Sequence, residues 1–191
     1  RHEKFADYKA QRPETPQELR NQITRVHQLA KTFRIPIFEM DGYEADDVLG
    51  TLSRQANKLG MGALIVTGDN DILQMVSPAI KVMSPRRSFS DTVIYDEAEV
   101  RNKYGLEPAQ IPDYKALTGD QSDNIPGVRG IGEKTATKLL QQFGSIDTLY
   151  KRIDEVTPEK LQKLLRDSKE LALQSRELAT IVTNVPMTLN L

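Results

Sequence analysis

The chain has 191 residues, of which 38% are hydrophobic, and a formal net charge of -1, enough for one large domain or two small ones with a real core. It has no cysteine, which excludes disulfides, zinc-thiolate sites and thiol catalysis, and no run approaches the roughly 18 apolar residues of a membrane-spanning helix. The near-zero sum hides segregation, with acids crowding residues 39–71 and Lys and Arg dominating 81–87 and 129–138, so a polyanionic partner and a small-molecule substrate both stay open.

In chain order, Thr15 and Pro16 begin a predicted helix whose apolar positions Leu19, Ile23, Val26, Leu29, Ala30 and Phe33 recur at helical spacing. Ile35 to Met40 reads as a short strand. Glu44 to Leu59 is a second helix ended by Gly60, followed by a buried strand over Gly62 to Thr67 and a further strand over Ala79 to Met83. Helices alternating with strands imply an α/β unit with a parallel-type sheet covered by helices. After Thr92 to Tyr95 the pattern turns helical: Asp96 with Glu99 makes a capping box, and Pro108 opens a helix that ends near Gly119. A glycine-rich turn over Pro126 to Lys134 leads into a helix from Thr135 to Phe143, closed by Gly144. The expected organisation is an α/β part over 1–105 and a mostly α lobe over 106–191, packed as one compact unit. The opening Arg1-His2-Glu3 reads as the interior of a longer chain, and an intracellular setting is expected.

Three short segments concentrate carboxylates. Glu44, Asp46 and Asp47 stand at the start of the second helix, where one or two acids serve capping and the macrodipole. Three within four residues repel one another unless a cation neutralises them. Asp69 and Asp71 follow a buried strand, at the strand end where α/β folds place ligands, although Gly-Asp-Asn-Asp is also ordinary turn chemistry. Asp120 and Asp123 sit beside Gly119 at a helix end. Hard divalent ions such as Mg2+ or Mn2+ take oxygen ligands, so seven acids can serve two of them through direct and water-mediated contacts. Two such ions roughly 3.5–4 Å apart stabilise the attacking and leaving oxygens of a phosphoryl displacement. A calcium-binding structural site fits less well, because the alternating ligands and closing Glu of an EF-hand loop are absent.

At these residues the sequence resembles the 5′ nuclease family found in bacterial DNA polymerase I and in phage and flap endonucleases. The strings that carry the likeness are Arg1-His2-Glu3 with Tyr8-Lys9 and Arg12, then Gly42-Tyr-Glu-Ala-Asp-Asp47, Thr67-Gly-Asp-Asn-Asp71 and Thr118-Gly-Asp-Gln-Ser-Asp-Asn-Ile-Pro-Gly-Val128. The resemblance implies a PIN-like nuclease core and two Mg2+ or Mn2+ ions. Glu44, Asp46 and Asp47 would serve mainly the first ion, Asp71, Asp120 and Asp123 the second, with Asp69 between. It also places two further aspartates on strands ahead of Arg1, so this stretch alone is expected to hold cations more readily than it cleaves. A noncatalytic DNA-binding fragment is the alternative.

Gly127-Val-Arg-Gly-Ile-Gly132, with Lys134, Thr135 and Lys138, resembles the hairpin of a helix-hairpin-helix, which the family extends to a helix-three-turn-helix. Glycines let backbone amides approach phosphate, and Arg129, Lys134 and Lys138 add countercharge. The resemblance adds a K+ ion on hairpin carbonyls, contacts from Arg1, Lys9, Arg12 and Gly130 to DNA, and roles for Lys9 and Arg12 at the scissile phosphate. Tyr8 is a candidate for stacking on a base, or else a packed core tyrosine. Arg86 and Arg87 read as a basic loop, and His2 and His27 as poor general bases. Expected partners are DNA with 5′ flaps, nicks or ends and a polymerase domain in the same parent chain, without a membrane, in the bacterial cytoplasm at the nucleoid or in an organelle.

Overall fold

The structure is a computed structural model describing residues 5–88 and 91–190, without the side chains of 86–88. Helix α1 (Gln17–Thr32) is followed by α2 (Ala45–Lys58), strand β1 (Ala63–Val66), a 3-10 turn (Asn70–Met75), β2 (Ile80–Ser88) and β3 (Asp91–Tyr95). Strand β1 pairs parallel with β2, and β2 antiparallel with β3. The unit is therefore α/β as expected, but its sheet is mixed. The helical part holds α3 (Glu97–Tyr104), α4 (Ile111–Thr118), α5 (Glu133–Phe143), α6 (Ile146–Lys151), α7 (Glu159–Asp167) and α8 (Lys169–Ala179). Among the described residues no helix is long and apolar enough to cross a membrane.

Two expectations for the first forty residues need correction. Residues 35–40 form no strand: Pro36 removes a ladder donor, and no described strand lies alongside to pair with them. Helix α1 has the expected amphipathic period, yet none of its residues is buried and Leu19, Ile23, Val26, Leu29 and Phe33 all stay exposed. The period records which side of a helix is apolar, not what covers it.

One core lies beneath the sheet and α2, built on Ile65, Ile72, Leu73, Val82 and Val100. A larger one fills the helical lobe around Leu117, Leu140, Phe143, Ile146, Leu149 and Leu165. Tyr104, at the end of α3, packs against both. The segment after α8 runs back along α2, where Asp47, Thr51 and Gln55, one turn apart on one helix face, accept the backbone amides of Val182, Val185 and Leu189 at 2.8, 3.1 and 2.7 Å. Gln74 adds a clasp, donating to the Ala179 carbonyl and accepting from the Ile181 amide.

Candidate active site

Each acid segment is placed by a local stop or start in the chain. Glu44 is the N-cap of α2, and Asp47 completes the capping box by accepting the Glu44 amide at 3.1 Å. Because the other Asp47 oxygen takes the Val182 amide, and the residue is 2% exposed, this carboxylate is committed to backbone. We therefore correct its expected role as an ion ligand to an anchor for α2. Asp69 caps the 3-10 turn by accepting the Asp71 amide at 3.0 Å. Gly119, with φ 73°, ends α4 and delivers Asp120, whose Oδ1 accepts from the Ser122 amide and hydroxyl at 2.8 and 2.7 Å.

Two lysines draw the three segments to one rim. Lys9 donates to Glu44 Oε1 at 2.7 Å and lies 3.5 Å from Asp123 Oδ2, while Arg12 donates to Asp123 Oδ1 at 2.5 Å. Lys115, on α4, bridges Asp71 and Asp120. Asp69, Asp71, Lys115 and Asp120 line an open cavity of about 710 Å³. Lys115 went unnoticed in the sequence because a lysine in the last turn of a helix is ordinary dipole complementation. Its partner Asp71 lies 44 positions away.

The electrostatics separate the acids. Burial, followed by the charges of Asp69, Glu44 and Asp47, pushes Asp46 up to about 6, against a smaller opposing pull from Lys9. Burial would raise Asp120 too, but hydrogen bonds from Lys115 and Ser122 outweigh it and hold the group down to about 2. Among the described residues no three acids or histidines stand close enough to hold an ion together. The donor set nonetheless fits hard divalent cations: it is all carboxylate oxygen, and Asp46 stands among like charges that a cation would relieve.

The Asp46 shift fixes a sign. The unfolded chain releases this proton near 3.8, the folded one only near 6, so stability falls as pH rises through that window. Asp46→Asn is expected to raise Tm by roughly 3 °C at pH 7 in the presence of a chelator, with the gain gone below the unfolded pKa. Thermal unfolding on both sides of the window checks this, and an equal gain at both pH values would contradict it.

Other candidates are placed less as expected. Tyr8 is 2% exposed, packs with Ile125, Leu178 and Ala179, and directs its hydroxyl to Asp123 Oδ2 at 3.0 Å with Glu44 Oε2 at 3.3 Å. Its ring has no free face for a base, so the stacking role is withdrawn in favour of orienting carboxylates. Gly127 is buried and its amide donates to Ser175 Oγ at 3.1 Å, which removes it from the phosphate-binding set. Arg129, Gly130, Gly132, Lys134 and Lys138 are exposed, and Thr135 sits half-buried in the first turn of α5, whose N-cap is Gly132. His27 faces Glu39 at 3.5 Å. Arg1, His2 and the side chains of Arg86 and Arg87 lie outside the described residues; the Arg86 and Arg87 backbone belongs to β2 rather than to the expected loop.

Two family models match the chain, the N-terminal resolvase-like domain of 5′-3′ exonuclease over residues 1–105 and its C-terminal SAM fold over 106–191. The chain is 50% identical over 190 residues to DNA polymerase I of Chloroflexus aurantiacus, covering 98% of this chain and 20% of that protein. With DNA polymerase I of Bacillus caldotenax the identity is 46% over 191 residues, covering 100% and 22%. The chain thus spans about a fifth of the length of these curated relatives. A bacteriophage T5 flap endonuclease, solved as a pseudo-enzyme-product complex with DNA and metal ions, superposes with a TM-score of 0.78 at 24% identity, covering 95% of this chain and 70% of that one.

Proposed function

Because the chain belongs to the 5′-3′ exonuclease family, we propose that it is the metal-dependent 5′ nuclease part of a DNA polymerase I. In this reading it removes nucleotides or flaps from 5′ ends, nicks and branches of DNA during replication and repair. The observation that carries the reading is the joining of three acid segments by Lys9 and Lys115 at one open rim, beside a basic hairpin that presents Arg129, Lys134 and Lys138 to solvent. A small-molecule phosphohydrolase has no use for that exposed basic track.

Glu44, Asp46 and Asp69 would hold one Mg2+ or Mn2+, and Asp71, Asp120 and Asp123 a second, with a K+ ion at the hairpin carbonyls. When bound, the divalent ions supply an activated water and charge neutralisation at the phosphoryl group. Lys9 and Arg12 are poised to trade their carboxylate partners for the scissile phosphate, Arg12 from a half-exposed position. Tyr8 keeps Asp123 oriented while they do so. Working alongside a polymerase, this activity belongs in the bacterial cytoplasm.

Titrating Mg2+ and Mn2+ against cleavage of a 5′-flap DNA is the direct test. Ion-dependent release of the flap is expected, and DNA binding without any cleavage in the intact parent protein would leave only a noncatalytic module. The hairpin is tested separately. Arg129→Ala with Lys134→Ala should weaken binding equally for unrelated sequences and reduce the slope of log affinity against log salt by about two, one per lost phosphate contact. An unchanged slope would remove the hairpin from the interface.

A further inference from the structure

Beside the acid-lined cavity lies a second groove, of about 600 Å³, between the end of α3 and one face of α5. It is lined by Asn70, Lys103, Tyr104, Lys134 and Lys138, and shares Asn70, Tyr104, Tyr114 and Glu133 with the first. Its walls come from both parts of the chain, held together where Thr137 and Gln141 of α5 donate to the Tyr104 and Gly105 carbonyls at 3.4 and 2.8 Å. Lys134 and Lys138 are one helical turn apart on that face.

Lys103 is the unusual member. An exposed lysine normally sweeps many rotamers, and fixing it costs side-chain entropy. Here the ammonium donates to Asn70 Oδ1 at 2.7 Å, lies 3.4 Å from the Tyr95 hydroxyl, and sits 5.0 and 5.3 Å from the Tyr95 and Tyr104 ring centroids. None of these three residues is an anion, so the position is preorganised while its positive charge stays available to a ligand. Asn70 stands between Asp69 and Asp71, which ties this cation to the turn that carries two of the acids.

We infer that the α3–α5 groove is a subsite for a backbone phosphate of the DNA strand leading to the acid rim, with Lys103 as its positioning cation. The inference rests on the DNA-cleaving reading above and adds to it a contact from outside the hairpin. A groove of this volume lies in the range of ordinary ligand pockets, and three lysines against the single carboxylate of Glu133 leave its lining cationic, which matches a phosphate diester rather than a base edge. Fixing that phosphate sets how far along the strand the scissile bond lies.

The test is binding of a 5′-flap DNA to Lys103→Ala, Lys103→Arg and Asn70→Ala, with Lys160→Ala on α7 as a control outside the groove lining, each across a salt series in chelator. Lys103→Ala is expected to bind roughly tenfold more weakly, with a salt slope smaller by about one, Lys103→Arg to recover most of both, and Lys160→Ala to match wild type. Asn70→Ala, which loosens Lys103 without removing charge, should keep the wild-type slope. In cleavage, Lys103→Ala should raise KM with kcat near wild type and move the main cut site along the strand. An unchanged slope for Lys103→Ala, or a slope lowered equally by Lys160→Ala, overturns the subsite while leaving the nuclease reading intact. Failure of the wild type to bind the DNA at low salt would instead overturn the nuclease reading.

Discussion

Replacing Asp120 with alanine in the intact parent protein is expected to slow DNA cleavage on the order of a hundred- to a thousandfold, the scale seen when one element of transition-state electrostatics is lost. DNA affinity should hold or rise. Asp120 stays ionised throughout the working pH range because Lys115 and Ser122 hold its pKa down to about 2, so it offers a permanent negative charge at the cavity wall. In the free protein that charge is balanced by Lys115, shared with Asp71. Removing Asp120 leaves Lys115 less neutralised and the rim more positive, which favours a polyanion in the ground state, and in the proposed reading it takes away a carboxylate that would hold a divalent ion near the reacting phosphoryl group. Single-turnover cleavage at saturating DNA, set beside equilibrium binding in chelator, separates the two effects. Asp120→Asn preserves the acceptor for Ser122 and should cleave almost as slowly, which guards against a mere loop disturbance. Matching losses in binding and turnover would argue against a catalytic place for this acid.

The second large effect concerns stability. Gly127→Ala is expected to destabilise the fold by more than about 3 kcal/mol, a size reached only through a named steric or burial defect, and to lower Tm by roughly 6 °C or more. A Cβ at Gly127 would stand 2.1 Å from the Gly119 amide nitrogen and 2.6 Å from its Cα, and φ there is 61°. Gly119 is also closed, though less tightly, with the Ile125 carbonyl oxygen 2.7 Å from any added Cβ. Both obstacles are backbone, so no rotamer change relieves them. The two glycines lie back to back and close the loop that carries Asp120 and Asp123, a loop also pinned by the paired hydrogen bonds of Asp120 and Ile125 at 2.8 Å. Gly132→Ala is the control: nothing lies within 4 Å of its added Cβ and its φ is -94°, so a change near 0.5 kcal/mol is expected. Urea unfolding of the three proteins decides it, and a Gly127→Ala midpoint beside that of wild type would remove the packing argument.

Local features were legible in the residues themselves. The helix closed by Gly60, the α5 helix with its stop at Gly144, and the strand delivering Asp69 and Asp71 each follow from a local pattern and a punctuating residue within a few positions, although that strand, expected to be buried, leaves Leu64 and Val66 exposed. What escaped depends on partners far along the chain. Lys115 joins two of the acid segments by reaching Asp71, Asp47 is drawn to backbone by Val182, and the Gly127 amide is taken by Ser175. Tyr8 allowed two readings until its surroundings were known. The strand expected over 35–40 and the packing expected for α1 failed for the same reason: propensity and amphipathicity describe one segment, whereas a strand and a buried face need a second one.

The tether of residues 182–189 along α2 alters how the molecule comes apart. Its hydrogen bonds join positions more than 130 residues apart in sequence, so the chain's final stretch is stitched to the helix that presents Glu44 and Asp46. The change of architecture near residue 105 is therefore not a seam along which the molecule opens. Detaching the last segment from α2 would remove the amide partners of Asp47, Thr51 and Gln55 and open the buried Asp47 and Thr51 to water. Loss of the last segment thus removes hydrogen bonds and buried contacts from α2, so the two parts are expected to lose stability together.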